Sequence, residues 1–200
     1  MRHKGISKDE TRAKMLDAVS QGFKKHGYGG IGVDGLSKSA GVTSGAFYSN
    51  FGSKTEAFST ALAYSLDDVL VSLRAIQQEH GTDWIRFFAD YYLGASHRND
   101  MEHGCAMATL TPEVVRFSPD VRAVFEEKMS AIAKIVAQGL AGGTENSRAN
   151  RAWSMLGVLI GGVNIARSMK SAEVSNMVAE AIKSTAINVA GRARVVKPLK

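Results

Sequence analysis

Two hundred residues with 44% hydrophobic side chains suffice for one or two domains around a sizeable core. Three prolines in a chain rich in Ala, Leu, Met, Lys and Glu point to helices, and a single cysteine excludes an internal disulfide framework and fits a reducing cytoplasm. The formal charge of +6 is uneven: residues 1–54 hold nine Lys or Arg against four Asp or Glu, residues 55–190 hold twelve against fifteen, and residues 191–200 hold four against none. A small basic head before a mildly acidic body is the balance expected of a nucleic-acid-binding domain joined to something else.

The start, MRHKGISKDE, is polar throughout, so no secretory segment is expected and a cytoplasmic location is. Ser7 with Glu10 forms a capping box before a first helix whose apolar stripe is Leu16, Val19 and Phe23. Gly27, in HGYGG, ends that helix near residue 26. GIGVDG at 30–35 has the spelling of the G-x-G-x-x-G dinucleotide fingerprint. That fingerprint needs a buried strand before it, whereas an amphipathic helix precedes this one. The glycines are better explained as a turn into a second helix over about 33–40.

Residues 41–54, GVTSGAFYSNFGSK, form the most informative stretch. Gly41 and Val42 make a tight connection, and Thr43 is a hydroxyl N-cap for a short helix over 44–50. Neighbours Phe47 and Tyr48 point about 100° apart, so one is core and the other exposed. The expected core set is Leu36, Val42, Phe47 and Phe51. Thr43, Ser44, Gly45, Tyr48 and Asn50 then share a polar face with little bulk, suited to a nucleic acid groove. Ser53 with Glu56 caps a fourth helix. Lys54 sits in its first turn, where the dipole is already positive; a phosphate would resolve the conflict, and an indifferent solvated lysine is the alternative.

Residues 9–58 resemble the DNA-binding domain of the TetR family of bacterial transcriptional regulators, on TRAKMLDAVSQGF, HGYGGIGVDGL, AGVTSGAFYSNF and GSKTEAF in fixed order. The resemblance implies that Thr43, Ser44 and Gly45 enter the major groove, that Tyr48 contacts phosphate or a base, and that Asn50 and Lys54 contact the DNA backbone. Gly32 departs from the family's usual Ser or Thr cap, and Ser37 from its small alanine.

The fourth helix carries Phe58, Leu62, Leu66, Val69, Leu70, Leu73 and Ile76 and ends at Gly81. Thr82 is expected to cap a fifth helix with Trp84, Phe87, Phe88, Tyr91 and Tyr92, read either as core or as the wall of an apolar pocket with polar tips. His97, His103 and Cys105 flank a break at 98–104 and make a poor zinc set. Cys105 reads either as a small buried hydrophobe or as a reactive thiol whose pKa a helix start would lower. HGCAMATLTPEV is also similar to the Gly-Cys helix start of electrophile-responsive members of the TetR family. Trp84, Phe88, Tyr91, Tyr92, Cys105, Met107 and Asn164 form the candidate ligand set.

Pro119 begins a seventh helix running to about residue 140, an eighth spans 147–169, and Ser171 caps a ninth. Gly157 and Gly161 leave one stripe of the eighth nearly bare, suited to close packing either within the chain or against a copy. The resemblance implies that the last two helices dimerise, making Trp153, Leu156, Gly157, Ile160, Gly161, Met177 and Ile182 the candidate interface. The apolar run 155–166, broken by Asn164, is too short to span a bilayer.

The expectation is an all-α chain of about nine helices: a helix-turn-helix head (1–54), a ligand-binding and dimerisation body (55–190), and a disordered basic tail (191–200). Its partners would be double-stranded DNA, a second copy and a small-molecule effector, with no membrane, metal or cofactor. The expected activity is repression at a palindromic operator, relieved by the effector. The alternatives are a thiol-based sensor through Cys105, a constitutive DNA binder, and an enzyme using GIGVDG or the thiol; the last lacks a supporting constellation.

Overall fold

The structure, a computed structural model, describes residues 8–196, with side chains from residue 12 onward. The Ser7–Glu10 capping box lies outside the described residues. The fold is all-α, as expected. Helices α1 (Lys8–Gly30), α2 (Val33–Ser39), α3 (Ser44–Phe51) and α4 (Lys54–His80) lead through a 3-10 turn (Gly81–Asp83) into α5 (Trp84–Leu93). Three short segments follow, α6 (Ala95–Asn99), α7 (Ala106–Thr109) and α8 (Thr111–Val114). The chain then returns to long helices, α9 (Pro119–Gly139), α10 (Glu145–Arg167) and α11 (Ala172–Ala190).

Local chemistry accounts for most boundaries. Gly27 breaks α1 with φ +70°, so the regular helix ends where the sequence implied. Thr43, Ser53, Thr144 and Ser171 each accept from the backbone N–H three residues on, capping α3, α4, α10 and α11. Two expectations are corrected. Thr82 makes no cap, because the 3-10 turn carries α4 into α5 instead. The single helix expected from Cys105 is two four-residue segments joined at Leu110, with Pro112 in the first turn of the second.

In the head, Met15, Val19 and Phe23 of α1 meet Leu36, Phe47, Phe51 and Phe58, all buried, with Val42 partly so. Each large side chain so buried stabilises by roughly 1.5–3 kcal/mol. Gly41, at φ +66°, reverses the chain between α2 and α3, and Val42 N–H closes the turn on Ser37 O at 2.9 Å. In the body, Trp84 Nε1–H donates to Gly139 O (3.1 Å) and Gln77 to Ile135 O (3.0 Å), fixing α4 and α5 to the end of α9.

The basic tail departs from expectation over its described part. Arg192 O accepts from Ala141 N–H (2.7 Å) and Arg194 N–H donates to Gly139 O (2.8 Å), around a bridge between Leu140 and Ala193. The Arg151 guanidinium braces both sides through Ala190 O and Ala141 O, each at 2.7 Å. Backbone pairing, which composition does not reveal, holds these residues in place.

Candidate nucleic-acid interface and internal cavity

Helix α3 divides its two aromatics as their angular separation requires. Phe47 is fully buried and Tyr48 is half exposed. Thr43, Gly45 and Asn50 are exposed beside Tyr48, and a Cβ built on Gly45 would touch nothing closer than Thr43 Oγ1 at 3.9 Å. A partner's backbone can therefore approach the start of α3 closely. Three side chains of this face already have partners within the head: Thr43 Oγ1 accepts from Ala46 N–H (3.2 Å), Ser44 Oγ–H donates to Asp34 (2.8 Å) and Asn50 Nδ2–H to Ala46 O (2.8 Å).

Lys54 is less free than a solvated lysine. Its ammonium donates to Tyr28 O at 2.6 Å and lies 4.3 Å from the centre of the Tyr28 ring. Tyr28 thus offsets part of the conflict with the dipole of α4, and it leaves the ammonium's other hydrogens for a phosphate.

A cavity of about 150 Å³ lies between α1, α4, α5 and the segment 103–107. Of the candidate ligand set, Phe88, Tyr91, Tyr92, Cys105 and Met107 line it. Trp84 and Asn164 do not. The Trp84 indole is sealed against α9, and the Asn164 amide donates to Ala108 O (3.2 Å) and Ile160 O (3.0 Å), so both serve packing. Sequence reasoning missed the α4 wall, including Asp68 and Ser72, although Val69, Leu73 and Ile76 lie at helical spacing. It also missed Lys24, for which no local signal exists because α1 reaches the cavity only through the fold.

Electrostatics in the cavity follow from burial. Lys24 has no ion-pair partner among the described residues, and burial pushes its pKa down against the pull of Asp17, Cys105 and Asp68. Of the two readings of Cys105, the thiol pKa follows the buried one: burial pushes it up, and the N–H groups of Met107 and Ala108, the Tyr92 hydroxyl and Lys24 recover only part. The resting group is the thiol. Tyr92 is buried and its hydroxyl, beside Cys105, makes no well-formed hydrogen bond. His97 positions the segment: its Nδ1–H donates to Tyr92 O (2.7 Å) and its Nε2 accepts from Cys105 N–H (3.2 Å). Burial and then Arg167 lower the His97 pKa, keeping the ring neutral. His103 instead faces Asp100 at the surface, 3.1 Å away.

The last two long helices divide the expected interface set. Trp153 and Met177 are exposed, and built Cβ atoms on Gly157 and Gly161 meet nothing within 4 Å. With exposed Ile165, residues 153, 157, 161 and 165 form one outward stripe at four-residue spacing. Leu156 is instead sealed in the chain's own core, and Ile160 and Ile182 pack partly against it. The close approach of α10 and α11 is made at Gly162, against Ile182.

Residues 15–59 match the family described as bacterial regulatory proteins, tetR family. Over 141 residues the chain is 28% identical to the HTH-type transcriptional repressor NemR of Escherichia coli K12, spanning 68% of this chain and 70% of that protein. The crystal structure of E. coli NemR in reduced form superposes with a TM-score of 0.74 at 21% identity, covering 94% of this chain and all of that one. A TetR-family transcriptional regulator from Cytophaga hutchinsonii superposes with the same TM-score at 22% identity, covering 97% and 100%. At such identities these two structures share the fold.

Proposed function

The chain belongs to the TetR family, a DNA-binding helix-turn-helix regulator, and we propose that it is a dimeric repressor released from a palindromic operator by a small molecule held in the cavity beside Cys105. In this reading α3 enters the major groove through Thr43, Ser44 and Gly45, with Tyr48, Asn50 and Lys54 holding the DNA backbone. A two-fold dimer joined through the outward stripe of α10 and through Met177 of α11 sets two such helices about 34–36 Å apart.

One observation carries the regulatory part: Lys24 of the head helix α1 and Cys105 of the body line the same cavity. An occupant touches both parts at once. If it binds better at the head spacing that DNA does not accept, linkage requires that it weaken DNA binding by the same factor. The test is retardation of genomic DNA fragments in a gel, followed by a screen for compounds that release them. Release that leaves a Lys24→Met variant and the wild type equally sensitive would remove α1 from the effector site.

A second reading is favoured by the Tyr92 hydroxyl, buried next to the thiol and, among the described residues, without a well-formed hydrogen bond. It could donate to the carbonyl of an electrophile while Cys105 loses its proton and bonds to the electrophilic carbon, the proton returning at the carbon next to the carbonyl. A maleimide should then release DNA from the wild type and not from Cys105→Ser. Equal release from both would leave reversible binding as the mechanism.

A further inference from the structure

The hydroxyl at the start of α3 is already committed. Ser44 Oγ–H donates at 2.8 Å to the carboxylate of Asp34, ten residues earlier in the first turn of α2. Asp34 is exposed, and no cation pairs with it among the described residues. A serine hydroxyl has one hydrogen and two lone pairs, and an ionised carboxylate has lone pairs alone. With that hydrogen turned toward Asp34, the pair presents acceptors and no donor at the point where Gly45 lets a partner come closest.

The major groove offers only two hydrogen-bond donors to such an edge, the N4 amino group of cytosine and the N6 amino group of adenine. Guanine O6 and N7 and thymine O4 are acceptors and would meet lone pair with lone pair. The carboxylate also repels the phosphates on either side, so Asp34 lowers affinity for DNA in general unless an amino group faces it. We propose that Asp34, acting through Ser44, sets the base preference at one position in each half-site, selecting cytosine or adenine and rejecting guanine and thymine. The inference rests on the reading of α3 as the recognition helix and goes beyond it, since Asp34 lies on α2 and matches none of the contacts expected for the DNA face.

The experiment is selection of bound sequences from a library of randomised operators, then gel titration, with wild type, Asp34→Asn, Asp34→Ala and Ser44→Ala. The wild type should select an amino-bearing base at one symmetric pair of positions, with about tenfold weaker binding per half-site for guanine or thymine there. Asp34→Asn keeps an acceptor for Ser44 and adds a donor, so it should admit guanine or thymine at that position and bind unrelated DNA more tightly at low salt. Asp34→Ala should flatten the preference at that position alone. Two results would overturn the proposal while leaving the recognition helix in place: an unchanged base profile in Asp34→Asn, or a loss of affinity equal for all sequences with a lowered melting temperature, the mark of a clamp between α2 and α3. A wild type that retards no DNA would remove the reading of α3 and this inference together.

Discussion

Helix α10 carries glycine at 157, 161 and 162, and one substitution, to alanine, should act with opposite sign at neighbouring positions. Alanine in a helix interior is favoured over glycine by about 1 kcal/mol. At 162 the new Cβ would lie 2.9 Å from Ile182 Cβ, an atom fixed to its own backbone that cannot swing aside. Helices α10 and α11 would have to separate, and such overpacking costs about 1–3 kcal/mol. The net expectation for Gly162→Ala is a loss of about 1 kcal/mol, or roughly 2–4 °C in melting temperature for a chain of this size. At 157 and 161 the Cβ meets nothing within 4 Å among the described residues, so each alanine should stabilise the isolated protomer by about 0.5–1 kcal/mol. If the stripe is the dimer face, the same methyl groups hold two copies apart, and dimer dissociation should rise about tenfold or more. Urea unfolding across protein concentrations, with sedimentation equilibrium, separates the two effects, because dimer stability depends on concentration. A Gly162→Ala protein as stable as wild type would refute the α10–α11 contact. Unchanged dimerisation in the double variant at 157 and 161 would refute the interface.

Ser37 is buried and its hydroxyl has no partner among the described residues, so Ser37→Ala should raise the urea midpoint, by about 1 kcal/mol of stability; a lowered midpoint would reveal a bond that the hydroxyl makes. Lys54→Ala should weaken binding to all DNA alike and lower the salt slope by about one, as loss of one phosphate contact requires. An unchanged slope would show that its ammonium serves Tyr28 alone. His97 has its pKa lowered in the fold, so the unfolded chain binds its proton first as pH falls. Its contribution is fully present above the ordinary histidine value near 6.5 and is lost below it, and His97→Gln should flatten the melting temperature between pH 7 and pH 5. Phe117→Ala should leave operator affinity near wild type and reduce effector-driven release, measured by gel titration with and without the effector.

The head was legible almost to the residue because its signals are local: a hydroxyl cap at Thr43, a reversing glycine at Gly41, and two adjacent aromatics that cannot share a face. The same locality explains GIGVDG, whose Gly32 serves as the N-cap position of α2. The body was legible as helices and much less so as a site. Trp84 and Tyr92 look alike in sequence, and only the position of Gly139 decides that the first is tied to α9 while the second reaches the cavity. Leu156 and Gly157 are adjacent, so a helix sends them to opposite fates, core and surface. Lys24 could not be read at all, since its role comes from α1 crossing α4. The sequence left the sign of the Cys105 shift open, and burial decides it because a four-residue helix offers few N–H groups to oppose it.

The segment from Glu102 to Phe117 connects cavity and head, and its contacts differ in strength. Glu102 pairs with Lys25 of α1 at 2.7 Å, but both side chains are exposed, which limits such a pair to about 1 kcal/mol or less. Phe117 stacks on Phe58 of α4 at 4.4 Å and meets the edge of Tyr28 at 4.7 Å. Each aromatic pair contributes about 0.5–1.5 kcal/mol beyond its burial. Tyr28 in turn holds Lys54 through its carbonyl and Thr55 through its hydroxyl at 3.0 Å, at the start of α4 and directly after α3. Residues 103–107 and α4 line the cavity together, and the packed rings at Phe117 add a second link, from the far end of the segment to the start of α4, while the ion pair adds little. Coupling energies between sites in proteins are typically 1–3 kcal/mol. The ring contacts at Phe117 are of that size and the surface pair is not, so if the cavity holds the effector, the aromatic seam, beside the α4 wall itself, is where occupancy of the cavity and orientation of α3 would exchange free energy.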